Sequence, residues 1–112
     1  ARFARSFATL SACGYVLGLG DRHLENFLFD TRRGDVAVID FGLAFGAATS
    51  VQSVPELFPL RITRQLRNVV APLDTHGLLA APMAHTLRAL HAQREALLRT
   101  LGVFVSDPIV DW

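Results

Sequence analysis

The sequence predicts an α+β fold, mainly helical, with a single β-hairpin. Three observations predict it. Apolar residues recur three or four apart in four separate segments, two short aromatic and β-branched runs flank a polar link, and glycines and prolines collect between that hairpin and the later helices. With 112 residues, 51% of them hydrophobic, the chain fits one small domain or part of a larger one. A unit of that size buries roughly two-thirds of the surface its unfolded chain exposes, so a hydrophobic core is feasible.

Phe3, Phe7, Leu10 and Leu17 lie at helical spacing, so residues 2–17 read as an amphipathic helix buried by its aromatic side. Gly18 and Gly20 stop it. Arg2 and Arg5 before the apolar SFATLSACGYVLGLG superficially resemble a signal peptide, but the run flows directly into GDRH without a polar stretch, and the helix reading is preferred. Asn26–Asp30 (NFLFD) and Val36–Asp40 (VAVID) read as the two strands of a hairpin, joined by the five residues Thr31–Asp35. From Phe41 to Pro59 there is no sustained period, which reads as a long loop, and long loops in compact domains are usually functional or disordered. Thr63–Val70, Leu78–His91 and Arg94–Phe104 read as three further helices, with Pro82 tolerated near the start of the second.

Composition narrows the function. A net charge of +1 argues against a broad electrostatic nucleic-acid surface, so direct nucleic-acid contact by this segment is not expected. No uninterrupted apolar segment reaches the eighteen or so residues of a membrane span, and no membrane role is expected. The lone Cys13 sits among apolar residues and reads as a small buried hydrophobe. All eleven basic residues are arginine, and there is no lysine.

The candidate chemistry lies in Gly20–Phe27, GDRHLENF. Asp21 and Asn26 stand in the pattern D-x-x-x-x-N, and Asp40-Phe41-Gly42 follows downstream. Phosphoryl transfer from ATP uses such a set: a carboxylate accepts the substrate hydroxyl proton, and an amide oxygen and a second carboxylate hold Mg²⁺ against the phosphates. Either pattern alone is weak, because Asp and Asn are common turn formers. Joined by a hairpin they gain force, since a two-stranded ribbon returns the chain to its starting end and makes Asn26 and Asp40 neighbours. A carboxylate and an amide oxygen suit Mg²⁺, a hard cation that takes few protein ligands.

The order Asp21-Arg22-His23, with histidine after aspartate, departs from the ordinary protein-kinase loop and resembles the G-D-R-H-x-x-N loop of the phosphatidylinositol 3-kinase superfamily. Ile39-Asp40-Phe41-Gly42 is similar to that family's metal-binding turn. VPELFPLRITRQ (54–65) resembles the P-E-x-x-P-F-R-L-T-R segment of the phosphatidylinositol 3-kinase-related protein kinases, and VFVSDPIVDW (103–112) their D-P-L-x-x-W ending. Leu43 departs slightly, standing where many relatives carry a polar residue.

The resemblance implies the C-terminal lobe of a protein-kinase-like fold with the hairpin carrying the metal site: 18–26 as catalytic loop, 40–62 as metal-binding turn and activation loop, and 63–112 as C-lobe helices. It implies Asp21 as catalytic base with His23 assisting, Asn26 and Asp40 as Mg²⁺ ligands, and Leu28 and Ile39 as an apolar floor under the adenine of ATP, the alternative for these two being plain core packing. Arg22 is expected to anchor the loop through a carboxylate. Residues 41–60 contain no Lys or Arg, whereas a lipid kinase needs cations there to meet a phosphoinositide headgroup, so a protein Ser/Thr substrate is expected. Within the family the loop is most similar to members acting in the DNA-damage response, which implies double-strand break repair in the nucleus and a DNA-end-binding partner engaged by other parts of a longer chain. A pseudokinase scaffold and a phosphoinositide kinase remain as alternatives. Such kinases hold the α/β-phosphates with an N-lobe lysine, so the chain is expected to be an excerpt that is inactive alone.

Overall fold

The computed structural model describes residues 2–57, 61–71 and 75–105. In chain order the elements are α1 (Arg2–Val16), a 3₁₀ turn (Leu24–Asn26), β1 (Phe27–Asp30), β2 (Asp35–Val38), α2 (Ala48–Val51), α3 (Arg64–Val70), α4 (Thr75–Ala92) and α5 (Arg94–Val105). The expected α+β, mainly helical architecture is present. The family-like ending at 106–112 lies outside the described residues.

The core forms where α1 is enclosed by the hairpin and the later helices. Ala4, Phe7 and Ala8 of α1 cluster with Phe27 and Val36 of the hairpin, Leu66 and Val70 of α3 and Leu79 of α4. The small alanines at positions 4, 8 and 12 are buried alongside Phe7, so α1 is covered on more than the aromatic side that its spacing suggested. Phe7 is the largest fully buried side chain. It packs ring to ring with Phe3 and Phe27, each at 5.9 Å, and Phe3 stacks on Phe29 at 6.0 Å. Offset aromatic pairs of this kind stabilise by about 0.5–1.5 kcal/mol beyond their area burial. Ser6 joins the helix to the sheet, its Oγ accepting the N–H of Val36 at 3.0 Å while donating to Phe3 O. Cys13 is half-buried, and that burial pushes its thiol up, away from the reactive thiolate.

The hairpin is antiparallel with Phe27 opposite Val38, Leu28 opposite Ala37, Phe29 opposite Val36 and Asp30 opposite Asp35. Its link is therefore four residues long, one fewer than expected, and the reason is local. Asp30 Oδ1 accepts the N–H groups of Arg32 and Arg33 at 2.9 and 3.0 Å, and Gly34, at φ +75°, donates to Asp30 O, so Asp35 is already paired. Alternation of side chains puts Phe27, Phe29, Val36 and Val38 on the face against α1. Leu28, Ala37 and Ile39 take the outer face.

Three differences from the sequence reading concern the helices. The long loop contains the single turn α2, too short to show any period. The fourth helix begins at Thr75 rather than Leu78, so Pro82 lies inside it, where no proline N–H is available for Leu78 O. Thr86 Oγ1 donates to Pro82 O at 2.9 Å and meets Thr9 Oγ1 of α1 at 3.4 Å, tying the interrupted turn to its neighbour. Third, α3 starts one residue late because Thr63 is its N-cap, with Oγ1 accepting the N–H of Leu66. It ends where Pro72 forces Ala71 off the helix. No helix among the described residues is long and apolar enough to cross a membrane.

Truncating Phe7 to Ala is expected to destabilise the fold by about 3–5 kcal/mol. Removing the exposed Arg2–Asp35 ion pair (2.9 Å) by Arg2→Ala is expected to cost less than about 1 kcal/mol. Denaturant midpoints of the two variants check the contrast.

Candidate active site

Gly18 ends α1 in the left-handed region, at φ +59°, and a Cβ there would fall 2.7 Å from Gly46 N. The chain that leaves the helix is then held against the loop that follows the hairpin. Phe45 N–H donates to Leu17 O at 2.9 Å, Gly46 N–H to Gly18 O at 3.0 Å, and Gly20 N–H to Leu43 O at 2.7 Å. Gly20 is needed for proximity, since a Cβ there would overlap Ala48 Cβ of α2. Two segments more than twenty residues apart in sequence thus become one backbone layer.

Arg22 completes the joint. It is 8% exposed, and its guanidinium donates to three carbonyls: Gly20 O at 2.7 Å, Ile39 O at 2.9 Å and Asp40 O. Anchoring was expected, but through a carboxylate. The fork of five N–H donors instead serves carbonyls that sheet pairing leaves open where the chain turns away from β2.

Both key aspartates sit in the left-handed region, Asp21 at φ 57° and Asp40 at φ 60°. Each such residue costs about 1–3 kcal/mol and persists only where its surroundings hold it, a condition that clusters at functional sites. Asp21 is held from three sides. Its N–H donates to Glu56 Oε2 at 2.7 Å, its carbonyl accepts from Asn26 Nδ2 at 2.7 Å, and its Oδ1 accepts from Gln52 Nε2 at 3.3 Å. Asp40 folds its own Oδ1 back onto Gly42 N–H at 3.1 Å.

His23 is half-buried, with Nε2 3.3 Å from Asn26 Nδ2 and 3.7 Å from Asp21 Oδ2. When Asn26 donates to it, Nε2 carries a lone pair and the ring proton is on Nδ1. When Nε2 is protonated it faces the Asp21 carboxylate instead. The ring thus stands between the carboxylate and the amide.

Asn26 is buried, its Nδ2 donating to Asp21 O at 2.7 Å and lying 3.3 Å from His23 Nε2. That assignment fixes the amide orientation and leaves Oδ1 as the outward oxygen, to which no described residue donates. One step beyond the last strand pair, Ile39 N–H donates to Asn26 O at 3.1 Å, so Asp40 follows directly on the residue bonded to Asn26. The expected adjacency of Asn26 and Asp40 is therefore present. Among the described residues no group of three or more His, Cys, Asp or Glu is arranged to hold a metal. An amide oxygen and one exposed carboxylate fit Mg²⁺ when a polyphosphate completes the shell, since that ion takes one or two protein ligands and keeps waters.

Leu28 and Ile39 are 52% and 40% exposed. They are not core residues. They share the outer face of the hairpin and lie diagonally across it, forming with Ala37 an apolar strip beside Asn26 and Asp40.

Glu56 and Gln52 had no assigned role in the sequence reading. Glu56 belonged to the quoted VPEL segment, and that was the available signal. Nothing in Gln52's neighbours marks it.

These features define a class, since the chain carries the fold of a phosphatidylinositol 3-kinase-related kinase. The structure entitled "Structure of the open conformation of CtTel1" superposes with a TM-score of 0.90 at 35% identity, covering 99% of this chain and 4% of that one. "FAT and kinase domain of CtTel1" gives 0.84 at 32%. The chain belongs to the phosphatidylinositol 3- and 4-kinase family, whose pattern matches residues 1–112. It is 54% identical over 110 residues to the DNA-dependent protein kinase catalytic subunit of Dictyostelium discoideum and 44% identical to that of Xenopus laevis. It is 40% identical to the serine/threonine-protein kinase smg-1 of Caenorhabditis briggsae. Nearly the whole chain is aligned in each comparison, yet it spans only 3–5% of those relatives' lengths, so it corresponds to part of a kinase domain.

Arg22→Ala is expected to destabilise the joint by about 3 kcal/mol or more, because three carbonyls lose their donors together. Arg22→Lys recovers only part of this, a single ammonium being unable to span the fork. Faster hydrogen exchange at the amides of residues 26–42 is the measurement that checks both.

Proposed function

We propose that this chain is the phosphoryl-transfer segment of an ATP- and Mg²⁺-dependent serine/threonine protein kinase, with 18–26 as catalytic loop, 40–62 as metal-binding turn and activation loop, and 63–112 as C-lobe helices. The observation that carries the reading is Arg22's hold on Gly20, Ile39 and Asp40, which supports a loop and a turn acting as one site.

Asp21 accepts the proton of the substrate hydroxyl. Its left-handed backbone and the contacts from Glu56 and Gln52 support a fixed approach direction for the carboxylate. His23 assists from beside it, its Nε2 passing between the Asn26 amide and the Asp21 carboxylate. Asn26 Oδ1 and the Asp40 carboxylate would hold Mg²⁺, which when bound neutralises charge on the phosphates. Leu28 and Ile39 supply the apolar surface under adenine, a role their outward exposure favours over packing. The chain has no lysine, so the cation that holds the α/β-phosphates comes from another part of the longer protein, and the isolated chain has no useful turnover.

Protein substrate is preferred over phosphoinositide because residues 41–60 carry no cation to meet a multiply charged headgroup. The similarity to DNA-dependent protein kinase catalytic subunits supports a role in double-strand break repair. It also supports a nuclear location and a DNA-end-binding partner contacted by other parts of the protein.

In the full-length protein, Asp21→Ala is expected to lower peptide phosphorylation about 10²- to 10⁴-fold. Asp40→Ala is expected to abolish the Mg²⁺ dependence of nucleotide binding as well. Steady-state assays offering Ser/Thr peptide and phosphoinositide in parallel test the reading. Unchanged turnover in Asp21→Ala refutes the base, phosphorylated lipid without phosphorylated peptide refutes the substrate class, and Mg²⁺-independent binding without turnover indicates a pseudokinase.

A further inference from the structure

The described segment from Ala48 to Glu56 makes two hydrogen bonds to Asp21 and lies against Gly20. Ala48 of α2 lies under Gly20 so closely that no Cβ fits between them. Glu56 returns to α2 through its own N–H, which donates to Ala48 O at 3.4 Å, and this places Oε2 2.7 Å from Asp21 N. Glu56 Oε2 would also be 3.1 Å from a Cβ at Gly20. Gln52, at the C-terminal end of α2, reaches Asp21 Oδ1 at 3.3 Å.

The two contacts do different things. The Asp21 N–H, on a left-handed backbone, finds its acceptor not in its own loop but in Glu56, 35 residues away. A charged acceptor makes that bond a strong one. Gln52 acts on the side chain: an amide N–H donated to one carboxylate oxygen fixes the rotation of the carboxylate, leaving the other oxygen toward His23. Neither side chain is required by the packing of the core cluster, to which neither belongs.

We infer that Glu56 and Gln52 are positioning residues for Asp21, Glu56 setting its backbone and Gln52 its carboxylate, so that the base is competent only while residues 48–56 are docked on Gly20. This rests on the proposed role of Asp21 as base. The order of residues 48–56 is then part of the geometry of proton acceptance.

The test is a double-mutant cycle in the full-length protein, read by peptide phosphorylation at saturating Mg²⁺-ATP and peptide. Glu56→Ala is expected to lower kcat roughly 10- to 100-fold with the KM for ATP changed less than about twofold, the loss expected when a reacting group is displaced by about an ångström. Glu56→Gln retains an oxygen acceptor for the Asp21 N–H and is expected to restore most of kcat. In an Asp21→Ala background, Glu56→Ala is expected to change the residual rate by less than about twofold, because a residue acting through Asp21 has nothing left to position. Gln52→Leu, similar in size but unable to donate, is expected to lower kcat about 3- to 10-fold and likewise to add nothing in the Asp21→Ala background. It keeps the test open if Glu56→Ala does not fold. A loss that persists undiminished without Asp21, one that falls on the KM for ATP, or a Glu56→Gln variant as impaired as Glu56→Ala overturns the inference. If Asp21→Ala itself leaves turnover unchanged, it is the base assignment that fails, which separates the two outcomes.

Discussion

The structure depends on a single guanidinium. Arg22 is buried between the end of α1 and the exit of β2, and its donors reach carbonyls on both sides, Gly20 O on one and Ile39 O and Asp40 O on the other. Without that fork the three carbonyls are left open where no strand partner exists, and the cost of leaving buried acceptors unpaired is what makes the joint rigid. Arginine suits it because its charge is permanent and its donors are coplanar, so two backbone segments register together. The two left-handed aspartates adjoin that fork, Asp21 next to Arg22 in sequence and Asp40 through its own carbonyl, while Glu56, Asn26 and Gln52 hold Asp21 itself.

The remainder of the fold supplies a floor for this joint. The stacked rings of Phe3, Phe7 and Phe27 fix the hairpin to α1, and Ser6 clips β2 to the same helix. The hairpin cannot slide without exposing Phe27 and Val36, since a shift of one residue would exchange its buried and solvent faces. Its register therefore also fixes which side carries Leu28 and Ile39. Burial on one face and an apolar strip on the other are two consequences of one alternation.

Much of this was legible in the sequence. The helix over residues 2–17 and the hairpin announce themselves by periods of 3.6 and 2, and the convergence of Asn26 on Asp40 follows from antiparallel pairing alone. Asp30 shortened the hairpin link through its own side-chain oxygen, a local effect that apolar periodicity does not register. The first turn of α4 is silent in the sequence because Thr75, His76 and Gly77 carry no apolar period, so periodicity alone sets Pro82 nearer the helix start than it lies. The sequence points to Arg22 as an anchor but not to its acceptors, because a charged side chain suggests a carboxylate while the open carbonyls exist only once the chain has folded. Glu56 and Gln52 lie 35 and 31 residues from Asp21; the VPEL segment marks Glu56 but not its partner, because a contact over that separation leaves no pattern in a single sequence.

In the proposed site, Arg22 unites the two segments so that Asn26 and Asp40 can address one ion. A high-resolution structure of the full-length protein with Mn²⁺ in place of Mg²⁺ and a non-hydrolysable ATP analogue, with the ions located by their anomalous scattering, tests this most directly. The account predicts one ion bonded to both Asn26 Oδ1 and an Asp40 carboxylate oxygen at about 2.0–2.3 Å, with the Arg22 fork unchanged. Ions that bind the polyphosphate without contacting Asn26, or an Arg22 side chain turned away from Ile39 O and Asp40 O while the nucleotide is bound, would contradict it.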